Sequence, residues 1–219
     1  MIEQNIRIEK GSAGNDGHIS DIAGLLYDAF EPKMAALGLR REVWGKAALN
    51  SLVIEHSFFA YRGNKLVGVV GVATRSGKFL HFQLRELLKH VNPVKALFYY
   101  LALNLERRIL KDELRIAYLA VAKEVRGQGV GKDLLHRVEQ FAAQQGFALL
   151  SLDVVDTNLS ARGLYEKSGF TVVKTIKFGF LTRRAGFTGA HHMQKRIAGS
   201  SSQETGTIDR DAAPRSCPQ

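Results

Sequence analysis

Apolar residues recur along this chain with two periods, and the switch from one to the other marks where strands give way to helices. Asn5 to Glu9 alternates as a first strand. Asp16 to Phe30 sets Ile19, Ile22, Ala23, Leu26 and Phe30 on one helical face, with Asp16 as the N-cap. Pro32 interrupts or ends that helix, and Arg41 to Leu49, which holds the only tryptophan, Trp44, forms another. Ser57 to Arg62 and Leu66 to Arg75 flank Gly63-Asn64-Lys65, a hairpin signal. Leu80 to Lys89 and Val94 to Glu106 read as two helices separated by Asn92-Pro93, with Pro93 suited to the first turn of the second. From Val94 to Leu105 that second helix is apolar nearly all round, yet too short to span a bilayer. It is therefore an extra core helix, a lid over a pocket or a face shared with a partner.

The second half alternates more regularly. Leu114 to Val121 is a strand, and Asp133 to Gly146 is a helix with Leu134, Leu135, Val138, Phe141 and Ala142 on one face. Ala148 to Val155 is a strand. Thr171 to Phe178 and His191 to Ile197 are strands joined by a glycine-bearing loop, Gly179 to Ala190, that carries Arg183-Arg184. From Ala198 to Gln219 the chain is polar with one isolated isoleucine, so residues 198–219 are expected to be a disordered tail behind a domain spanning 1–197.

A chain of 219 residues suits one domain with a substantial core. Its single cysteine, Cys217, excludes an internal disulfide, and the alternating N-terminus lacks the apolar run of a signal peptide, so a cytoplasmic protein with no membrane span is expected. The net charge of +10 attracts anions of any kind. Because the basic residues are scattered instead of interleaved with aromatics, a phosphorylated small molecule is a better fit than nucleic acid.

The candidate chemistry lies between Leu114 and Lys132. Between that strand and the helix after it sit Gly127, Gly129 and Gly131, with Arg126 and Lys132 at the two ends. A turn without Cβ atoms can aim consecutive N–H groups at one anion, and a helix N-terminus adds unsatisfied donors and a positive dipole end. A P-loop is excluded, since Arg126 stands where its first glycine is needed and Asp133 where Ser or Thr follows the lysine. A dinucleotide fingerprint needs a glycine at Lys132. That alternative keeps some support from Asp153, which ends the next strand where a ribose-binding acid would lie.

The run Arg126-Gly127-Gln128-Gly129-Val130-Gly131 resembles the acyl-CoA signature of the GNAT N-acetyltransferase superfamily, Arg/Gln-x-x-Gly-x-Gly/Ala. Leu119-Ala120-Val121 before it looks like that family's fourth strand. Downstream, Asn158, Ala161, Leu164, Tyr165, Gly169 and Phe170 match its second signature at every position. The resemblance covers about residues 5 to 197 and is most specific from 113 to 170. It implies an α+β fold with a mixed, mostly antiparallel central sheet flanked by helices, here with a helical insertion at 78–111 between strands 3 and 4.

The same resemblance implies transfer of an acetyl or other short acyl group from acyl-CoA to a primary amine, by direct attack within a ternary complex. A non-catalytic acyl-CoA sensor on the same fold is the alternative. Acetyl-CoA would be co-substrate, held by Leu119, Ala120 and Val121, by Arg126 to Lys132 (Arg126, Gly127, Gln128, Gly129, Val130, Gly131, Lys132), and by Asn158 and Tyr165; no metal is expected. Backbone N–H groups near Leu119 and Val121 would polarise the thioester, and Tyr165 would protonate the leaving thiolate. The bland alternatives are a packing role for Tyr165 and a helix-cap role for Asn158. A carboxylate common on the fourth strand in this family is replaced here by Arg115. Glu113, two residues back on the same face by strand periodicity, is the candidate base, with Glu31 beside the first helix as another. Lone histidines such as His56, His81, His191 and His192 are read as structural. The acceptor would be a small-molecule amine or a peptide N-terminus, and a homodimer is compatible with the apolar insertion.

Overall fold

The computed structural model describes residues 6–12, 18–104, 108–178 and 186–197. The disordered-tail expectation for 198–219, the proposed cap Asp16 and the pair Arg183-Arg184 lie outside them. Seven strands form one sheet in the order β1-β2-β3-β4-β5-β7-β6: β1 (Ile6–Lys10), β2 (Ser57–Arg62), β3 (Lys65–Ala73), β4 (Glu113–Val121), β5 (Leu149–Val155), β6 (Thr171–Lys177) and β7 (Gly189–Arg196). Neighbours are antiparallel except β4 and β5, which are parallel. A mostly antiparallel sheet removes the dinucleotide-fold alternative, which needs a parallel, doubly wound one.

Strand alternation divides the apolar residues between two cores. Along β2, Phe58 and Ala60 face one and Phe59 and Tyr61 the other. Helices α1 (Ile19–Ala29), α2 (Glu31–Ala36), α3 (Arg41–Leu49), α4 (Leu84–Leu88) and α5 (Pro93–Asn104) cover one face, while α6 (Val130–Gln144) and α7 (Leu159–Lys167) pack toward the other core. Trp44 ties α3 to α1 by donating its indole N–H to the Ala23 carbonyl at 2.9 Å. Helix α6 buries Val130, Leu134, Leu135, Val138 and Ala142 on one stripe, the periodicity legible in the sequence.

Two expectations about elements change. Pro32 does not end α1; the break comes at Phe30, and Pro32 sits in the first turn of α2. The first insertion helix starts at Leu84, not Leu80, because Leu80 bridges Leu52 and the His81 N–H donates to the Ser51 carbonyl at 2.9 Å. Among the described side chains of α5, Ala96, Tyr99 and Leu103 are buried. Val94, Leu97, Phe98 and Leu101 remain exposed, at 80%, 49%, 52% and 58%.

Candidate active site

The site is built where the sheet comes apart. Strands β4 and β5 pair only from Glu113 opposite Leu149 to Ile116 opposite Leu152. Beyond that, β4 stays on β3 as far as Val121 and β5 stays on β7 as far as Val155, so the two diverge. The bend in β4 has a local cause: Tyr118 faces Gly71 while Ile116 faces Val72, leaving Ala117 as an extra bulged residue. Beyond Ile116 the β5-facing edge of β4 pairs with no strand among the described residues. A cavity of about 790 Å³ fills the splay.

Turn 126–132 follows the open end of β4. Gly127 and Gly129 have φ of 77° and 87°, in the left-handed region where a side chain is strained. Gly131 is needed for a different reason, since a Cβ there would lie 3.1 Å from Leu164 Cδ2 of α7. Gly129 is the N-cap of α6 and supplies no capping side chain, so the first-turn N–H groups keep their donors free for a ligand. The polar side chains of the turn mostly brace it. Arg126 Nε donates to the Val121 carbonyl at 3.0 Å, and Gln128 Nε2 donates to the Glu124 carbonyl at 3.1 Å while its Oε1 accepts from Arg62. What the turn offers an anion is therefore chiefly backbone, with exposed Lys132 beside it.

Of the residues expected to bind, Leu119, Asn158 and Tyr165 line the cavity together. Ala120 is buried in the core that α1 to α5 cover, and Val121 and Arg126 face a neighbouring cleft beside α1. Asn158 caps α7, its Oδ1 accepting from the Ala161 N–H at 3.1 Å. Capping uses its oxygen and not its NH2, and the residue lines the cavity, so the cap and ligand roles are compatible. Tyr165 is 8% exposed, packs edge-to-face on Phe170 at 6.0 Å, and has its phenol pushed up to about 12 by burial. That hydroxyl keeps its proton through the neutral range.

The carboxylate at the splay is Asp153, the only one among the described residues lining the cavity. Its Oδ2 accepts from Arg115, and its Oδ1 lies 2.8 Å from His192 Nδ1, whose other ring nitrogen is 3.1 Å from Gln194 Nε2. Arg115 and His192 come from the strands on either side of β5, so the sheet order fixes the carboxylate between them. Glu113 lies apart from the cavity. It is fully buried at the closed end of β4, away from the cavity lining, with one oxygen accepting from the Leu110 N–H at 3.0 Å and the other from the Ser151 hydroxyl. Glu31 is exposed at the start of α2 and does not line the cavity either, although Phe30 and Lys33 do. In the sequence Asp153 stood out as the one charge in Leu149–Val155 and as the acid a dinucleotide site would use, not as a partner of Arg115 and His192. Much of the cavity wall is apolar, from Phe30, Met34, Trp44, Leu103 and Tyr118 and from Phe178 and Phe187, whose rings meet edge-to-face at 6.1 Å, with Lys33 among them.

Residues 25–170 match the profile described as the acetyltransferase (GNAT) family. A stretch of 70 residues is 41% identical to human N-acetyltransferase 8B, covering 32% of this chain and 31% of that protein. The chain thus aligns with about a third of such a relative's length. In fold, it is similar to the ribosomal-protein-S18-alanine N-acetyltransferase of Escherichia coli, with a TM-score of 0.55 at 18% identity over 93% of this chain and 100% of that one. It is also similar to a chain of the NatC complex bound to Gag peptide and CoA, with a TM-score of 0.54 at 14% identity over 88% of this chain and 99% of that one. At those identities the likeness concerns the fold.

Proposed function

The chain belongs to the GNAT acetyltransferase family, and from that premise we propose that it transfers an acetyl or other short acyl group from acyl-CoA to a primary amine within a ternary complex. The observation that carries this reading is the β4/β5 splay, which holds a cavity lined by Leu119, Asp153, Asn158 and Tyr165, with the glycine turn and the start of α6 following the open end of β4. The pyrophosphate of acyl-CoA would lie on the N–H groups from Gly127 to Lys132. Its pantetheine arm would pass along Leu119 to Val121, with the Asn158 NH2 in reach. Unpaired β4 N–H groups would take the thioester oxygen, where fixed donors stabilise the charge that develops.

In this reading Asp153 is the base, in place of Glu113. The amine nitrogen attacks the thioester carbon and becomes acidic as its bond forms; its proton passes to the Asp153 carboxylate, directly or through one water. The C–S bond then breaks, and the departing thiolate takes the Tyr165 proton. Arg115 and His192 hold Asp153 in place. The apolar wall favours an amine beside an aromatic or aliphatic group, whether a small molecule or a peptide N-terminus, over a polyamine.

Thiol release from acetyl-CoA, measured against small amines, polyamines, amino acids and peptide N-termini, tests the proposal. The expected result is amine-dependent release that is fastest for amines with an apolar neighbour. Acetyl-CoA binding without release for any acceptor would make the protein a sensor instead.

A further inference from the structure

Helix α5 carries two apolar faces and uses one of them. Ala96, Tyr99 and Leu103 point inward, and α4 packs alongside. Val94, Leu97, Phe98 and Leu101 recur at the spacing of a single helical stripe and face out. Leu88 before the helix and Leu110 after it are also exposed, at 45% and 51%. Twelve residues make a rod about 18 Å long. Among the described residues no helix is long and apolar enough to cross a membrane, so this one can lie on a surface but not span it.

Charge decides among the occupants such a stripe could have. From 84 to 112 the chain carries Arg85, Lys89, Lys95, Arg107, Arg108 and Lys111 against Glu86, Glu106 and Asp112, within a protein of net charge +10. Glu86 is buried and its carboxylate pairs with Lys89 and Arg85 and takes a bond from Asn50, so among the described residues of this stretch the exposed cations Lys95, Arg108 and Lys111 are the ones it leaves uncompensated. A second copy would bring two such basic rims together, and one helix is also small beside the roughly 800 Å² per partner of a stable interface. An anionic lipid surface matches both features, since leucines and a phenylalanine can enter the headgroup boundary while lysines and arginines meet the phosphates.

We propose that the outer face of α5 seats the protein on an anionic lipid surface. Leu103, on the inner side of the same helix, lines the apolar part of the cavity wall. Seating α5 would therefore bring that part of the wall near the lipid. This inference does not depend on the transfer reaction, because it is read from vesicle binding alone.

The experiment is flotation of the full chain with phosphatidylcholine vesicles, with and without phosphatidylglycerol, at low and high salt. Wild type is expected to float with the anionic vesicles and to be released by salt. Leu97→Ser/Phe98→Ser/Leu101→Ser should lose at least about tenfold in partitioning, and Lys95→Glu should weaken it by a smaller factor. All four positions are exposed, so unchanged melting temperature and acetyl-CoA affinity in these variants would show that the body is intact. Equal partitioning of wild type and the triple variant would overturn the proposal, as would no binding to anionic vesicles. So would a concentration-dependent dimer that the triple variant abolishes in the absence of vesicle binding, which would give the face to a second copy.

Discussion

Replacing Tyr165 by Phe removes one proton and almost nothing else. The ring keeps its edge-to-face contact with Phe170, 6.0 Å between centroids, and the lost hydroxyl faces the cavity, where no described residue accepts from it. Stability at neutral pH should therefore change by less than about 1 kcal/mol, the order of one ordinary hydrogen bond. Turnover is a different matter. A general acid contributes roughly 10² to 10⁴ in rate, or about 3 to 5 kcal/mol of barrier at about 1.36 per factor of ten. Burial holds the phenol at about 12, so the group is fully protonated wherever the enzyme is assayed near neutrality, and no decline of rate between about pH 7 and 9 should trace to it. Thiol release by the variant with its best amine should fall by two orders of magnitude or more, while acetyl-CoA affinity by calorimetry stays within about threefold. A rate within threefold of wild type would return Tyr165 to packing and leave the thiolate to depart through water.

Three other outcomes follow from the same geometry. The raised phenol also affects folding: the unfolded chain ionises near 10.0 and the folded one at about 12, so this stabilisation is whole below the first value and lost as pH rises through the second. Urea titrations should show wild type losing about 2 to 3 kcal/mol more than Tyr165→Phe over that alkaline window, and parallel curves would contradict it. Asp153→Asn should lower kcat by about 10² or more with acetyl-CoA affinity retained, and an unaltered rate would remove it as base. Glu113→Gln should cost about 1 to 3 kcal/mol of stability, because it disturbs buried bonds to the Leu110 N–H and the Ser151 hydroxyl, while leaving kcat within about twofold. A stable but inactive Glu113→Gln enzyme would restore Glu113 to the chemistry.

What the sequence disclosed was local. Arg41–Leu49 and Ser57–Arg62 form the helix and strand their residue patterns announce, and Gly127 and Gly129 adopt the positive φ that their turn requires. Asn158 caps α7 where its signature places it. What stayed hidden depends on contacts distant along the chain. Asp153 gains its meaning from Arg115 and His192, 38 and 39 residues away, and only the sheet order makes them neighbours. The place of Glu113 stayed hidden for a related reason. Strand periodicity does put it on the Arg115 face, but alternation says nothing about which part of a strand lies at the open end of a splay. Similarly, the apolar run of α5 fixed a helix without saying which side would be covered, since that depends on where α4 and the sheet lie.

The central claim is that acyl-CoA enters the β4/β5 splay with its pyrophosphate on the turn from Gly127 to Lys132, and titration of acetyl-CoA into wild-type and Gly129→Asp protein tests it most directly. The substitution sets a side chain on a residue at φ 87° and a negative charge beside the phosphates, at a position where an added Cβ meets nothing within 4 Å beyond its chain neighbours. Calorimetry should find saturable binding to wild type and at least a roughly hundredfold loss in a folded variant, combining backbone strain with repulsion of an anion at a helix N-terminus. Equal affinity in the two proteins would contradict the account.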